Sequence, residues 1–294
     1  RVRYAGDRAL WQRLTRRDKR GNTKCVKELA ECLPVLRQAA AAINQLPLQG
    51  GERATVLDLC SGKGYLAMFL ADGGLVDAER VERITLVDSA FPPLGGDPQP
   101  HHIHIDHLAG VARATGLSYA ASAPIRLDVT KRNLKKRRQL QQLLERHVLG
   151  ATGPVVILAV HLCGTLALRA VDLFNDGGGK VTMLALKPCC LPAQVPDELK
   201  LERTFTIGTH QFPASEVTAR GKWVSRSAGN GKTWQGPPRA HLEPRFERWA
   251  AHLLRGMEVG EGGERRLERV QVQAESYQNV FLFARRANAR DVAR

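Results

Sequence analysis

Apolar, strand-like segments alternate with helix-like segments through the centre of this chain of 294 residues. The first pair is ATVLDLC, which runs into YLAMFLADGG at 65–74 after a tight glycine turn. The apolar segments predict five strands, at 54–60, 83–89, 124–130, 153–164 and 180–190. Because such repeats with short loops bury a parallel sheet between helices, the sequence predicts an α/β fold with helices on both faces.

The C-terminal part of the sequence departs from this alternation. EPRFERWAAHLLRGM predicts a helix, and two strands follow at 267–273 and 277–286. Two strands separated by a few residues favour an antiparallel hairpin. A parallel sheet finished by such a hairpin is the layout of the Rossmann-like class I methyltransferases, which use S-adenosylmethionine.

The ends of the predicted domain differ from its centre in composition. Residues 1–50 are predicted to form a basic N-terminal arm and a helical extension, which Pro34 would kink or restart. Residues 51–294 are predicted to form the methyltransferase-fold domain. A Gly-, Pro- and Ser-rich insertion at about 191–240 interrupts it, and a loop of that length is usually functional or disordered.

The turn between the first strand and the first helix reads DLCSGKG, from Asp58 to Gly64. Such a turn presents backbone N–H groups and a helix N-terminus, which suit either a dinucleotide pyrophosphate or the amino-acid end of S-adenosylmethionine. A carboxylate at Asp58 would repel a pyrophosphate and attract the cationic amino group of the methyl donor. We therefore predict S-adenosylmethionine as the cofactor. The predicted contacts from this turn are Asp58, Cys60, Ser61, Gly62, Gly64 and Tyr65, with Cys60 standing where the methyltransferase pattern has a glycine.

Two further acids follow the next two predicted strands. Asp88 ends the second strand, where an acid can accept hydrogen bonds from both ribose hydroxyls. Asp128 is predicted to end the third strand, where it can accept the adenine amino group. Each acid alone can also be a helix cap or turn former, but three at one sheet edge favour a cofactor crevice.

Candidate catalytic residues lie at the ends of the fourth and fifth strands, in HLCG and LKPCC. His161 can act as a base, as a substrate hydrogen-bond donor or as a donor-contacting residue, and it can equally be a structural histidine. Lys187 can assist transfer to a ribose hydroxyl. Cys163 and Cys189 are the candidate nucleophiles for transfer to cytosine C5. The paired cysteines can also bind a metal, with Cys163 and His161 as the only added ligands nearby, or be apolar filling beside the cofactor. No metal site is predicted among the site residues.

The segments DLCSGKGYLAMFLA, VHLCGTLALRAVDL and LKPCC resemble the methyltransferase domains grouped with the tRNA 2′-O-methyltransferase that modifies the acceptor stem. The resemblance covers roughly residues 52–190 and the terminal hairpin. It implies a class I methyltransferase acting on structured RNA, tRNA or rRNA, with ribose 2′-O transfer favoured over C5 transfer. The chain departs from that enzyme in having CCLPAQ in place of a CCHH-type segment and no Cys/His zinc modules.

The formal net charge of +15 indicates a polyanionic partner. Basic residues concentrate at 1–24, 131–146 and 217–240, and Trp223 and Trp234 of the last segment can stack on unpaired bases. The sequence therefore predicts contact with RNA or a ribonucleoprotein. The alternative is a catalytically inactive fold that serves as a structural or assembly component, for example of an organellar ribosome. Six cysteines without a disulfide framework favour a reducing intracellular compartment, which can be mitochondrial, and no apolar run predicts a membrane span.

Overall fold

The protein's structure, a computed structural model, describes residues 17, 23–72, 74–91, 124–192, 203–225, 232–272 and 277–287. The strands in this part of the chain are β1 (Ala54–Leu59), β2 (Val81–Asp88), β3 (Leu127–Lys131), β4 (Val155–Cys163), β5 (Val181–Cys190), β6 (Thr204–Ile207), β7 (His210–Pro213), β8 (Lys222–Ser225), β9 (Lys232–Gln235), β10 (Glu264–Arg269) and β11 (Val280–Arg285). The α-helices are α1 (Lys24–Gln45), α2 (Tyr65–Asp72), α3 (Arg137–Leu143), α4 (Leu166–Asp176) and α5 (Glu243–Gly256).

Seven of the strands form one sheet in the order β10-β11-β5-β4-β1-β2-β3. Strands β1 to β5 pair with one another in parallel, whereas β11 is antiparallel to both β5 and β10. This is the strand order of a class I methyltransferase fold, and it confirms the predicted parallel sheet with an antiparallel C-terminal hairpin.

The sheet lies between two hydrophobic cores because its central strands are apolar on both faces. Every residue of β1 is buried, and so are eight of the ten residues of β5. One core contains buried residues of α3, α4 and α5, and the other contains those of α1 and α2. Helices therefore cover both faces, as predicted.

The N-terminal helix α1 is part of the second core. Val35, Leu36 and Ile43 are fully buried in it, together with residues of β1, β2 and β4. The helix continues through Pro34, so it does not restart at this proline, and the predicted kink stays a prediction. Burial of an apolar face more than compensates the proline's cost of about 3 kcal/mol. The predicted division at residue 50 therefore separates segments that share a core.

Several element boundaries differ from the sequence expectation. The third strand continues to Lys131, so Asp128 is its second residue rather than its last. Helix α3 begins at Arg137, inside the basic segment 131–146, because Asn133 caps a preceding turn, in which its side chain accepts a hydrogen bond from the Lys135 N–H at 3.0 Å. A π-helical segment, Leu144–Leu149, follows this helix.

The edge strand and the insertion also differ from expectation. Strand β10 begins three residues earlier than predicted. Its first residues are charged and exposed, so they lack the apolar alternation that indicates a strand. The insertion contains the hairpins β6–β7 and β8–β9. The first adds Phe205, Ile207 and Phe212 to the core beside Trp249. Most of the basic arm lies outside the described residues.

None of the described helices is both long enough and apolar enough to span a membrane.

Candidate functional site

The turn between β1 and α2 is held in a backbone shape that favours glycine. Cys60, Gly62 and Gly64 have φ angles of 55°, 57° and 78°, which lie in the left-handed region. The Ser61 N–H donates to the Val87 carbonyl at 3.2 Å and the Gly64 N–H donates to the Ser61 carbonyl at 2.9 Å. Cys60 thus keeps a glycine-type conformation at a cost of order 1–2 kcal/mol for a residue with a Cβ. Cys60 therefore stands where the methyltransferase pattern has a glycine and has a φ angle that a glycine adopts without strain.

A cavity of about 210 Å³ lies beside this turn, at the carboxyl edge of the sheet. Residues from the turn, α2, β4 and α1 line it, namely Glu28, Cys32, Asp58, Cys60, Ser61, Gly62, Lys63, Tyr65, Leu66, Val160 and His161. A Cβ added to Gly62 would meet no atom within 4 Å, so the turn leaves open space beside the cavity. Six of the predicted donor contacts therefore share one cavity. The contribution of α1 was missed, because no motif marks Glu28 or Cys32 in the sequence.

Asp58 provides a buried, unsatisfied carboxylate oxygen in this cavity. The residue is 2% exposed, and its Oδ2 has no hydrogen-bond partner among the described residues. Burial, the main cause, and the nearby Asp88 charge raise the pKa of Asp58 to about 8, although the Ala67 N–H opposes them. Ser61 Oγ is likewise buried without a described partner. A cationic group that donates hydrogen bonds would stabilise an ionised Asp58, so the cavity fits the ammonium of an amino acid.

Asp88 ends β2, as predicted, but it does not line the cavity. Its Oδ2 accepts a hydrogen bond from the Gly62 N–H at 3.1 Å, and its Oδ1 accepts one from the Ala90 N–H at 2.9 Å. The carboxylate therefore holds the glycine turn against the end of β2. Each oxygen retains a second lone pair, so hydrogen bonds to ribose hydroxyls stay a prediction.

Asp128 lies apart from the other predicted donor contacts. It pairs with Thr85, whereas Asp88 at the sheet edge pairs with Lys131, three residues further along β3. At about 3.3 Å per residue, Asp128 lies roughly 10 Å back from that edge. Its Oδ1 accepts a hydrogen bond from the Arg126 Nε at 3.0 Å. The predicted position of Asp128 at the strand end is therefore wrong, because the LDVTK segment stays in the sheet two residues beyond the valine.

His161 is held by an acid that sequence reasoning missed. Its Nε2 lies 2.5 Å from Oε2 of Glu31, a residue of α1 with a fully buried side chain. Burial alone would raise the pKa of Glu31, but the His161 hydrogen bond and the positive charges of His161, Lys27 and Lys187 lower it to about 2. Glu31 lies one residue before Cys32 on the buried face of α1. An acidic residue on the apolar face of this helix was the one feature of the sequence that could have indicated the contact.

The backbone of His161 is also unusual. Its φ is 65°, a left-handed value for a residue that is not glycine, and the β4–β5 register shifts at this point. Such strain persists only where surrounding contacts impose it. The imidazole is 36% exposed and lines the cavity, so a substrate can reach it while Glu31 fixes its orientation.

Lys187 does not line the cavity. The residue is 1% exposed, and its Nζ lies 5.7 Å from the centre of the Phe281 ring. Burial, the main cause, lowers the pKa of Lys187, and the Glu31 charge opposes this effect. Direct contact with a substrate hydroxyl, as predicted from the sequence, would need this buried amine to become accessible.

Cys163 and Cys189 are brought together, and Cys190 joins them. The Cys163 and Cys189 Sγ atoms lie 2.8 Å apart, and the Cys189 and Cys190 Sγ atoms lie 3.6 Å apart. Hydrogen bonds from Cys189 and Cys190 lower the pKa of the Cys163 thiol, and the same contacts raise that of Cys189. Cys163 is exposed whereas Cys189 is buried, so only Cys163 of the two predicted nucleophiles is open to solvent.

The predicted basic surface at 131–146 begins at the carboxyl edge where β3 ends. Its exposed basic side chains are Lys131, Lys135, Lys136, Arg137, Arg138 and Arg146. Lys135 is close enough to Cys60 and Cys163 for its charge to lower the pKa of both thiols, although burial raises that of Cys60 to about 12 overall. The charge of Lys135 therefore reaches Cys60, which lines the cavity.

The other two predicted basic surfaces are only partly described. In the 217–240 segment, Trp234 packs against the first core, and its indole N–H donates to the Pro237 carbonyl at 2.7 Å. This indole is engaged within the protein rather than presented to a base. The backbones of Trp223 and Trp234 pair across the β8–β9 hairpin, and the side chain of Trp223 lies outside the described residues.

No family model matches the chain, and no curated protein matches it either. Among solved structures, an O-methyltransferase family protein from Burkholderia thailandensis is 13% identical over 90% of this chain, with a TM-score of 0.33. The chain spans 59% of the length of that protein.

Two further solved structures are similar over most of both chains. An S-adenosylmethionine-dependent methyltransferase from Clostridium acetobutylicum is 9% identical over 90% of this chain and 92% of its own, with a TM-score of 0.34. The magnesium protoporphyrin IX methyltransferase from Synechocystis, solved with S-adenosylhomocysteine, is 12% identical over 95% of this chain and 93% of its own, with a TM-score of 0.37. These weak similarities support no inference about activity, and the fold assignment rests on the strand order and register of the chain itself.

Proposed function

We propose that this protein is an S-adenosylmethionine-dependent methyltransferase. The observation that carries the proposal is the unsatisfied Oδ2 of Asp58, buried in a cavity beside the glycine turn of a class I methyltransferase fold. The ammonium of the donor would satisfy this oxygen. The open space at Gly62 would let the amino-acid end of the donor approach the backbone of the turn. Asp88 would lie on the side of the turn where the donor's ribose binds.

The donor supplies an electrophilic methyl group on a sulfonium, so the protein has to position a nucleophile and accept its proton. His161 is the group suited to that task, because its imidazole lines the cavity and Glu31 holds its Nε2 at 2.5 Å. Glu28 and Asp58 also line the cavity, and their two carboxyl groups, with Asp58 ionised on binding, favour a donor with two cationic centres.

The proposed substrate is structured RNA, tRNA or rRNA, with transfer to a ribose 2′-oxygen. The exposed basic residues from Lys131 to Arg138 support a polyanionic substrate, since they approach the cavity through Lys135. A ribose hydroxyl is a weak nucleophile that needs a base, and the His161–Glu31 pair offers one. Transfer to cytosine C5 ranks lower because the exposed thiol, Cys163, interacts with two other cysteines rather than with an isolated base.

The test is transfer of radiolabelled methyl groups from S-adenosylmethionine to total RNA, followed by digestion to nucleosides. We expect label in 2′-O-methylated nucleosides, and loss of that label in His161→Ala with donor binding retained. Label in 5-methylcytosine that depends on Cys163 would replace the ribose assignment. Absence of label with every RNA fraction, despite donor binding, would refute an RNA substrate.

A catalytically inactive protein that contacts RNA is the second candidate. The observation favouring it is that both oxygens of Asp88 already accept hydrogen bonds from the backbone, while Asp128 lies away from the edge. In that case RNA binding would persist, and neither S-adenosylmethionine nor S-adenosylhomocysteine would bind. Donor titration into the full chain separates the two candidates.

A further inference from the structure

Three cysteine thiols converge where β4 and β5 end. Cys163 and Cys190 are neighbours in the parallel register, and the Cys189 Sγ lies 2.8 Å from the Cys163 Sγ and 3.6 Å from the Cys190 Sγ. The three Sγ atoms all lie within 4.8 Å of one another. The cluster is distinct from the donor cavity, because none of the three residues lines it.

We propose that Cys163, Cys189 and Cys190 form a binding site for one thiophilic metal ion, Zn²⁺, with an open fourth coordination position. Three sulfur ligands select soft and borderline cations such as Zn²⁺ over Mg²⁺ or Ca²⁺. At a Zn–S distance of about 2.3 Å, tetrahedral coordination separates the ligand sulfurs by about 3.8 Å. The Cys189–Cys190 separation of 3.6 Å is already close to that value.

The Cys163–Cys189 separation of 2.8 Å has to increase by about 1 Å on binding. Cys163 can supply this movement because it is exposed and lies at the very end of β4. Cys189 is held more firmly, since its side chain is buried and its carbonyl accepts a hydrogen bond from Gln278.

Local charge supports binding of three thiolates. Lys135 acts on Cys163 and Lys187 acts on Cys190, and both positive charges favour the deprotonated sulfur. Three thiolates and Zn²⁺ carry a net charge of −1, which these lysines offset. Among the described residues, the ligand atoms grouped within 4.8 Å of one another at this site are the three sulfurs, and His161 is not in this group. Exposure of Cys163 and Cys190 leaves the fourth position to water or another small ligand.

The experiment uses the full chain, reduced and stripped of metal with a chelator. Zn²⁺ is titrated in competition with a chromophoric chelator, and Co²⁺ is titrated to record thiolate-to-metal charge-transfer absorption. We expect one ion per chain and a charge-transfer band. Cys163→Ser, Cys189→Ser and Cys190→Ser should each weaken binding by more than about tenfold, since even second-shell substitutions cost that much.

Cys32→Ala is the matched control, because this cysteine is buried on α1 and belongs to no group of candidate ligands. It should bind Zn²⁺ as the unmodified chain does. Circular dichroism of each variant establishes that it is folded, and a misfolded serine variant is replaced by the corresponding alanine variant. Serine variants that bind Zn²⁺ as tightly as the unmodified chain, or a Cys163–Cys189 disulfide formed in place of metal binding, would overturn the proposal. No donor or RNA is present, so the result is independent of the methyltransferase proposal.

Discussion

Asp58 should release a proton when the methyl donor binds. The pKa of its buried carboxyl is about 8 in the ligand-free protein, so the group is mostly protonated at neutral pH. The donor's ammonium would stabilise the carboxylate and lower that pKa. The change to test this is Asp58→Asn, which keeps the size of the side chain and removes the titratable group.

The size of the effect follows from the pKa. A group with a pKa of about 8 carries about 0.9 proton at pH 7, and ionisation on binding releases it. The donor's own α-amino group, with a pKa of about 7.7–8.0, takes up about 0.1 proton when it binds as an ammonium. The expected net release is therefore about 0.8 proton for each donor bound.

The assay is calorimetric titration of S-adenosylhomocysteine at pH 7 in buffers of different ionisation enthalpy. The slope of the observed binding enthalpy against the buffer's ionisation enthalpy gives the number of protons exchanged. The unmodified chain should show the net release, and its affinity should strengthen as the pH rises towards 7. Asp58→Asn should bind about 10- to 100-fold more weakly, at about 1.5–3 kcal/mol for a charge-assisted hydrogen bond, and release no proton. Methylthioadenosine lacks the amino acid and is the ligand control. Equal proton release by both proteins would refute the role of Asp58.

Three further predictions concern the turn, the buried acid and the basic segment. In urea denaturation, the free energy of unfolding of Cys60→Gly should be about 1 kcal/mol higher than that of Cys60→Ala, because both variants lack the thiol and only glycine relieves the left-handed strain. Equal free energies of unfolding would contradict this prediction. The pKa of Glu31 is lowered from 4.5 to about 2, which corresponds to about 3 kcal/mol of stability that is present above pH 4.5 and lost as the pH falls towards 2. Glu31→Gln should therefore be destabilised by about that amount at pH 7. When unfolding is measured at a series of pH values, the variant should not show the loss of stability between pH 4.5 and 2 that the unmodified chain shows. Replacing Lys135, Lys136 and Arg137 with Gln should reduce the slope of log RNA affinity against log salt by about 0.7–0.9 for each phosphate that these side chains neutralise, whereas an unchanged slope would exclude this surface.

The fold could be predicted because its signals are local. Apolar runs such as VVILAV, glycine stops and short loops define the parallel sheet, and the final pair of strands predicts the hairpin. The boundary of β3 was harder to predict, because LDVTK mixes apolar and charged residues on a strand that lies at the sheet edge. That single boundary decides whether Asp128 reaches the cofactor edge.

The site could be predicted where one segment carries it and not where two segments meet. Asp58 and the glycine turn are contiguous, so the sequence indicates their shared cavity. The Glu31–His161 contact joins residues from α1 and β4, and no sequence pattern links them. Cys190 is hard to place from the sequence for a related reason, since adjacent strand residues normally face opposite sides, whereas the shifts in the β4–β5 register bring its sulfur beside Cys163.

The central claim is that the cavity beside the glycine turn holds the amino-acid end of S-adenosylmethionine. A crystal structure of the chain with S-adenosylhomocysteine tests it most directly. We predict the ligand's amino nitrogen within hydrogen-bonding distance of Asp58 Oδ2, and its ribose on the Asp88 side of Gly62. A ligand bound elsewhere, or a cavity that stays empty at saturating ligand, would contradict the account and leave the basic surface as the functional part of the protein.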